Sequence, residues 1–312
     1  MEKKKFDLKQ GIIKDIIHKP SCYLLTLPAL IYTFIFGYLT LPYILIAFER
    51  FNYKTGIFNS EWVGLENFEF FFKTDYAVTV TWNTVKLNFW FIVSVNIMAM
   101  FFAILLNEIK NRRFVKITQS TFILPHFLSW IIVSYIIYGI FSSDFGIANK
   151  LLLSMNLPAV NWYSVPEPWT WILIIMRVWK GTGINTVIFL AAIAGIDNQI
   201  YEASIIDGAN RWQQIKSITI PLLMPTVTIL VLLAVGRIFY GDFGMIYSIV
   251  RDNGTLFSTT DVIDTFVYRA LRKVGDPSWA MAIGLYQSVM GFIFVFGTNL
   301  IARKYFKEGA LF

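Results

Sequence analysis

Most of what a soluble enzyme needs is scarce in this sequence. It has one cysteine, Cys22, so no intrachain disulfide can form. At the edge of an apolar run, Cys22 reads as a small buried hydrophobe. The only histidines are His18 and His126, and no Cys or His cluster has metal-ligand spacing. No G-x-x-x-x-G-K-[ST] loop is present to cradle nucleotide phosphates, and no G-x-S-x-G elbow to present a nucleophilic serine. Those absences argue against an enzyme and against any cofactor. Charge is thin as well: 15% of residues are Asp, Glu, Lys or Arg, against about 25% in soluble domains. Hydrophobic residues reach 56%, above the roughly 45–50% of such domains, which marks a polytopic membrane protein.

Apolar stretches long enough to cross a hydrocarbon core of about 30 Å lie near 22–48, 80–106, 117–142, 168–195, 221–250 and 279–303. The first follows a basic segment (Lys3, Lys4, Lys5, Lys9, Lys14, Lys19). It is too long for a signal-peptide core, and no small-residue cleavage site follows, so an uncleaved span is expected. Six spans place both termini on one side. Basic residues concentrate in the first tail, in 107–116 (Lys110, Arg112, Arg113, Lys116), in 196–220 and in the last tail (Arg303, Lys304, Lys307). The opposite loops are net acidic, so the termini and the 196–220 stretch are expected to be cytoplasmic. Topology thus explains the basic excess, and nucleic-acid binding is not expected. Trp62, Trp82, Trp130, Trp162, Trp169 and Trp279 fall near span ends, as an interfacial belt requires. Pro28, Pro42 and Pro125 predict bends. Small residues such as Gly181, Gly183, Gly284 and Gly291 predict close helix approach.

The polar insert 196–220 interrupts this pattern. Ile200, Ala203, Ser204 and Ile206 against Glu202 and Asp207 predict a helix of about two turns. Gly208 can take a left-handed conformation and stop it. Asn210 can cap a second short helix carrying Trp212, Ile215, Ile218 and Thr219, with Pro221 and Pro225 marking entry into the fifth span.

Glu202-Ala203-Ser204, Asp207-Gly208-Ala209 and Ile218-x-Ile220-Pro221-x-x-x-Pro225 resemble the "EAA" loop of bacterial ABC importer permeases. Ser204 and Ile220 are mild departures from that pattern. The resemblance implies an all-α polytopic fold of six transmembrane helices around a MetI-like permease core, in the carbohydrate-uptake class. The domains would be a basic segment 1–21, a membrane domain 22–303 with its coupling loop at 196–220, and a tail 304–312. It also implies an ATP-driven importer in the bacterial plasma membrane that hydrolyses nothing itself. Its partners would be a second homologous permease, two cytoplasmic ATPase subunits, an extracellular solute-binding protein, an oligosaccharide and the lipid bilayer. Glu202, Ala203, Ser204, Asp207, Gly208, Ala209, Arg211 and Trp212 would then engage the ATPase. An ion-coupled transporter or channel without an ATPase is the alternative. Further stretches, Gly236-Arg237-Ile238, Asp242 to Tyr247 and Asp261 to Arg269, resemble permeases related to those for alginate and pectin fragments.

Charges at membrane depth should face a cavity or a partner, because lipid penalises them by roughly 2.5–3.5 kcal/mol at mid-bilayer. Lys86, Arg177 and Lys180 either do so or snorkel outwards. Gly236, Gly241 and Gly244 allow a distortion that turns Arg237 and Asp242 towards one lumen, although an interhelical pairing of these two is also open. Resemblance to maltose-type permeases implies substrate contacts in this part of the fifth span. Arg237, Tyr240 and Asp242 are therefore the leading candidates for the substrate path, with Asn185, Tyr286 and Gln287 behind them. Arginine would suit a uronate carboxylate bidentately. The outer loop 251–278 predicts a short helix that covers the mouth or meets a docked protein, and the aromatic-rich loop 49–79 (Trp62, Phe68, Phe70, Phe71, Phe72) is open to the same two roles.

Overall fold

The computed structural model describes residues 18–305. Most of the expected terminal segments, 1–21 and 304–312, therefore lies outside the described residues. Helix α1, Pro20–Thr33, starts on a proline and runs through Pro28 unbroken. It continues as a wide turn over Phe34–Tyr38 and a tighter helical segment over Leu41–Phe48, with Pro42 at the latter's first turn. Only 6% of its most apolar window is buried. Cys22 is exposed, contrary to the reading from sequence. An apolar surface of this kind suits lipid as the surrounding solvent.

The loop after α1 makes the only sheet among the described residues, in which Glu49 pairs with Trp62 and Arg50 with Glu61. Helix α2, Glu66–Phe72, then turns Phe71 into the protein and stacks Phe70 on Trp279 at 3.8 Å. Helix α3, Asp75–Glu108, and helix α6, Trp169–Ala194, form the main helix pair. Fully buried Ala99 and Ala103 let their backbones approach beside Phe189 and Ile193. Between them in sequence lie α4, Arg112–Ile123, and α5, Trp130–Phe141, bent by 95° at a break over 128–129, just after Pro125.

The insert forms α7, Asn198–Ile206, and α8, Arg211–Gln214. Helix α8 does not stand apart as expected. A wide turn at Ile215–Thr219 carries it into α9, Ile220–Val235, so that Arg211–Val235 is one run of 25 residues. The wide turn just ahead of Pro221 accommodates the missing backbone donor, and Pro225 lies inside α9. The expected fifth span 221–250 is also interrupted: α9 stops at Val235, and α10 spans Phe243–Val250. The segment that follows carries α11, Ile263–Arg269, before the last helix α12, Pro277–Tyr305. Among the described residues, five helical runs are long and apolar enough to cross a membrane, or six if the bent pair α4–α5 counts as one.

Some sequence readings need correction. Trp169 is fully buried beside Tyr163 rather than at a surface belt. Gly284 and Gly297 have no neighbour within 4 Å, whereas at Gly183 a Cβ would lie 2.0 Å from the Phe122 carbonyl oxygen. The close approach predicted for small residues is thus made by Gly183 on α6 and, on α12, by Gly291, where a Cβ would lie 3.5 Å from the Tyr240 ring. Helix α11 packs onto the membrane helices, with Ile263 and Phe266 joining Phe71, Phe239 and Ile283.

Candidate functional site: a cavity between two broken helices

Two interruptions face each other, and each has a local cause. At Leu124–Phe127 the proline removes a donor and the helix tightens to a short 3-10 turn; Ser129 then caps α5 by accepting from Ile132 N–H. The freed carbonyls are not left bare. Lys180 Nζ donates to Pro125 O at 3.3 Å, His126 O at 2.7 Å and Leu128 O at 2.5 Å. The same ammonium lies 5.1 Å from the Trp130 ring centroid. At the second break, Asn88 Nδ2 donates to Ile238 O at 2.8 Å and Tyr240 O at 3.1 Å. Gln287 Nε2 donates to Phe239 O at 2.7 Å, and Gly241 N–H donates to Asp264 Oδ2 at 2.6 Å. Asp242 Oδ1 accepts from Met245 N–H at 3.0 Å and so caps α10. Irregular backbone at membrane depth requires this kind of satisfaction, or a water-filled cavity.

Between the breaks lies a cavity of about 590 Å³. Helix α3 lines it with Asn88, Phe91, Val95 and Asn96, the first break with His126 and Trp130, and α6 with Arg177, Lys180 and Asn185. The second break adds Arg237, Tyr240 and Asp242. Arg177 Nη1 meets Asp242 Oδ2 at 2.8 Å, and both side chains remain partly exposed to the cavity. Arg237 is exposed, and among the described residues its guanidinium has no ion pair or hydrogen bond. Lysine and arginine thus outnumber carboxylates on the cavity wall by three to one. Aromatic faces at Phe91, Trp130 and Tyr240 complete a lining with the chemistry to bind an anionic, ring-shaped molecule.

The second feature is the elbow. Asp197 caps α7 through Gln199 N–H, and Gly208 reverses the chain at φ 83°, where a Cβ would be strained. Asn210 and Gln213 form a reciprocal cap on α8. Buried Gln214 donates to Ser204 Oγ at 2.8 Å, and Tyr201 and Thr219 hydroxyls meet at 2.9 Å, so the two arms are stitched together. Arg211 lies 3.9 Å from Glu108 at the end of α3. The outward side of this rigid elbow is apolar, with Ile206 87% and Trp212 71% exposed. Glu202, Ala203, Asp207 and Arg211 are also exposed, and Ser204 and Ala209 half-buried.

A rigid elbow beneath a bundle with a polar cavity agrees with what known proteins look like. Residues 95–307 match the family described as binding-protein-dependent transport system inner membrane component. The chain belongs to that family. This permease is 34% identical over 313 residues to the polygalacturonan/rhamnogalacturonan transport system permease protein YteP of Bacillus subtilis (strain 168), covering 98% of this chain and 94% of that one. Its fold matches a solved bacterial ABC transporter involved in the import of the acidic polysaccharide alginate: the TM-score is 0.86 at 28% identity, over 95% of this chain and 99% of that one. A bacterial alginate ABC transporter in complex with an alginate pentasaccharide-bound periplasmic protein matches with a TM-score of 0.84 at 28% identity, over 93% and 96% of the two chains. Membership of a binding-protein-dependent system displaces the ion-coupled alternative.

Within the permease, Arg237, Tyr240, Asp242 and Asn185 all line the cavity. Tyr286 and Gln287 do not. Gln287 is buried, bonded to Phe239 O and, at 3.0 Å, to Asp264 Oδ2. Tyr286 packs on Phe71 and Phe72 beside a separate groove with Trp82. Asp242 pairs with Arg177 and not with Arg237. Arg177 and Lys180 turn inwards instead of snorkelling, whereas Lys86 does not line the cavity. The sequence did not mark Asn88, Asn96 or His126 as cavity residues, and Trp130, expected in an interfacial belt, lines the cavity instead. For the two asparagines a signal existed, since residues eight apart share a helix face. The histidine and tryptophan enter only through the bend.

Proposed function

We propose that this permease is one of two homologous membrane subunits of an ATP-driven importer for acidic oligosaccharides, with both termini in the cytoplasm. A solute-binding protein hands the sugar over on the outer side, and two ATPase subunits act on the elbow at 199–219. The observation that carries the substrate class is the cavity wall: three cations, one of them the unpaired Arg237, set among aromatic faces. Arginine binds a uronate carboxylate through two parallel hydrogen bonds, and the rings stack on sugar faces. One relative is named for polygalacturonan/rhamnogalacturonan transport and the matching solved transporter for import of the acidic polysaccharide alginate, which supports the same class here.

The elbow reading rests on exposed Ile206 and Trp212 flanking Glu202, a surface suited to a protein groove that supplies a basic group. Because α8 is continuous with α9, a push on the elbow travels along a single rod to the second break.

Uptake into vesicles containing the whole importer tests both halves. Arg237→Gln should weaken uptake of a uronate trimer at least tenfold more than uptake of its carboxyl-reduced counterpart. Equal loss of both would remove the carboxylate assignment. Glu202→Ala and Gly208→Val should leave the permease in the membrane but abolish ATP-driven uptake, and full uptake by both would remove the coupling assignment.

A further inference from the structure

We propose that Asp242 is an internal competitor for Arg177, and that a carboxylate of the entering substrate takes its place and frees the broken segment 236–242. This rests on the acidic-oligosaccharide reading above. The two groups that compete are chemically the same, a carboxylate facing a guanidinium. Asp242 reaches Arg177 through a single oxygen at 2.8 Å, on a side chain still 41% exposed. The pair is therefore open to the cavity, and the guanidinium keeps donors for an incoming anion. Arg237, unpartnered on the same wall, offers a second seat for a neighbouring uronate.

The exchange has a structural consequence because of where Asp242 sits. The other ties of the segment run to α3, α11 and α12: Asn88 holds two carbonyls, Asp264 the Gly241 N–H, and Gln287 the Phe239 carbonyl. Among the described residues, Arg177–Asp242 is the one ion pair that joins α6 to it across the cavity. A substrate carboxylate on Arg177 also repels Asp242, which moves away with the N-terminus of α10 that it caps. The same segment is the upper end of the rod whose lower end is the elbow. Occupancy of the cavity is thereby reported to the motor end of the permease.

The test uses the complete importer in vesicles, with trimers of galacturonate and of alginate and the carboxyl-reduced counterpart of each. Asp242→Asn and Asp242→Ser both keep an acceptor for Met245 N–H while removing the charge, so α10 stays capped in each. Where Asp242 holds Arg177 in about nine of ten molecules, its removal lowers the half-saturating concentration of the acidic trimer about tenfold relative to the reduced one. Arg177→Gln should lower the preference, and adding Asp242→Asn to it should change nothing further. A ratio within twofold of wild type in both Asp242 variants overturns the proposal, as does an Asp242→Asn effect that persists in the Arg177→Gln background. Should the wild type make no distinction between either acidic trimer and its reduced form, the acidic-substrate reading itself falls and this inference with it. If the wild type does prefer acid while the Asp242 variants leave the ratio unmoved, only the competition is wrong.

Discussion

Replacing Lys180 by methionine removes a charged donor that three carbonyls share at the bend between α4 and α5. The ammonium donates to three backbone carbonyls, two of them at 2.7 Å or closer. A hydrogen bond to a charged group contributes about 1.5–3 kcal/mol, and the bend faces a cavity where water can replace part of what is lost. Counting only the two short bonds at the low end gives about 3 kcal/mol. At roughly 2 °C per kcal/mol for a chain of this size, the purified importer should melt about 6 °C lower. Lys180→Arg, which keeps charge and donors, should recover most of the shift. Thermal unfolding in detergent, followed by tryptophan fluorescence, reads the effect. A Lys180→Met importer melting within 1 °C of wild type would refute the claim that this side chain holds the bend.

Gly183→Ala should destabilise more than its single methyl suggests, because the new Cβ would sit 2.0 Å from the rigid backbone oxygen of Phe122. The loss expected for such overpacking is about 1–3 kcal/mol, read by the same melting assay, while Gly284→Ala, which faces open space, should change little. Asp264 gives a pH signature. Burial pushes its carboxyl above the ordinary value of 3.8, with Asp242 adding to the shift and Gly241 N–H and Gln287 opposing it. The folded state then binds the proton more tightly than the unfolded chain, so this contribution is complete below pH 3.8 and is lost as pH rises through the raised value. The melting temperature of Asp264→Asn relative to wild type should therefore climb between pH 4 and pH 8. A flat difference across that range would refute the assignment.

Much of the elbow was readable in advance because its signals are local. Asn210 with Gln213 is a reciprocal cap written in four consecutive residues, and Gly208 between two short helical patterns supplies the positive φ that the turn needs. The spans were readable for the same reason, since an apolar run reports its own partition into lipid. The interrupted fifth span was harder. Glycines at 236, 241 and 244 announce a distortion, but whether the chain bends or breaks depends on Asn88, Gln287 and Asp264 being present to take up the freed backbone groups. Those partners come from three other elements. Gln287 illustrates the converse: a polar residue in an apolar helix signals a polar neighbour, and here that neighbour is a backbone carbonyl in place of a sugar.

Composition, periodicity and the motif at 202–225 were sufficient for the class of the protein, its approximate spans and its family resemblance, because each of those properties is set by residues close together in the chain. Which charges share a cavity was decided by the tertiary structure alone. Arg177 and Asp242 are separated by 65 positions and Lys180 and Pro125 by 55, yet in each pair the atoms meet within 3.3 Å. No rule of spacing connects such residues. Their meeting depends on how α3 and α6 pack through small side chains, and on two helix breaks that open towards the same space.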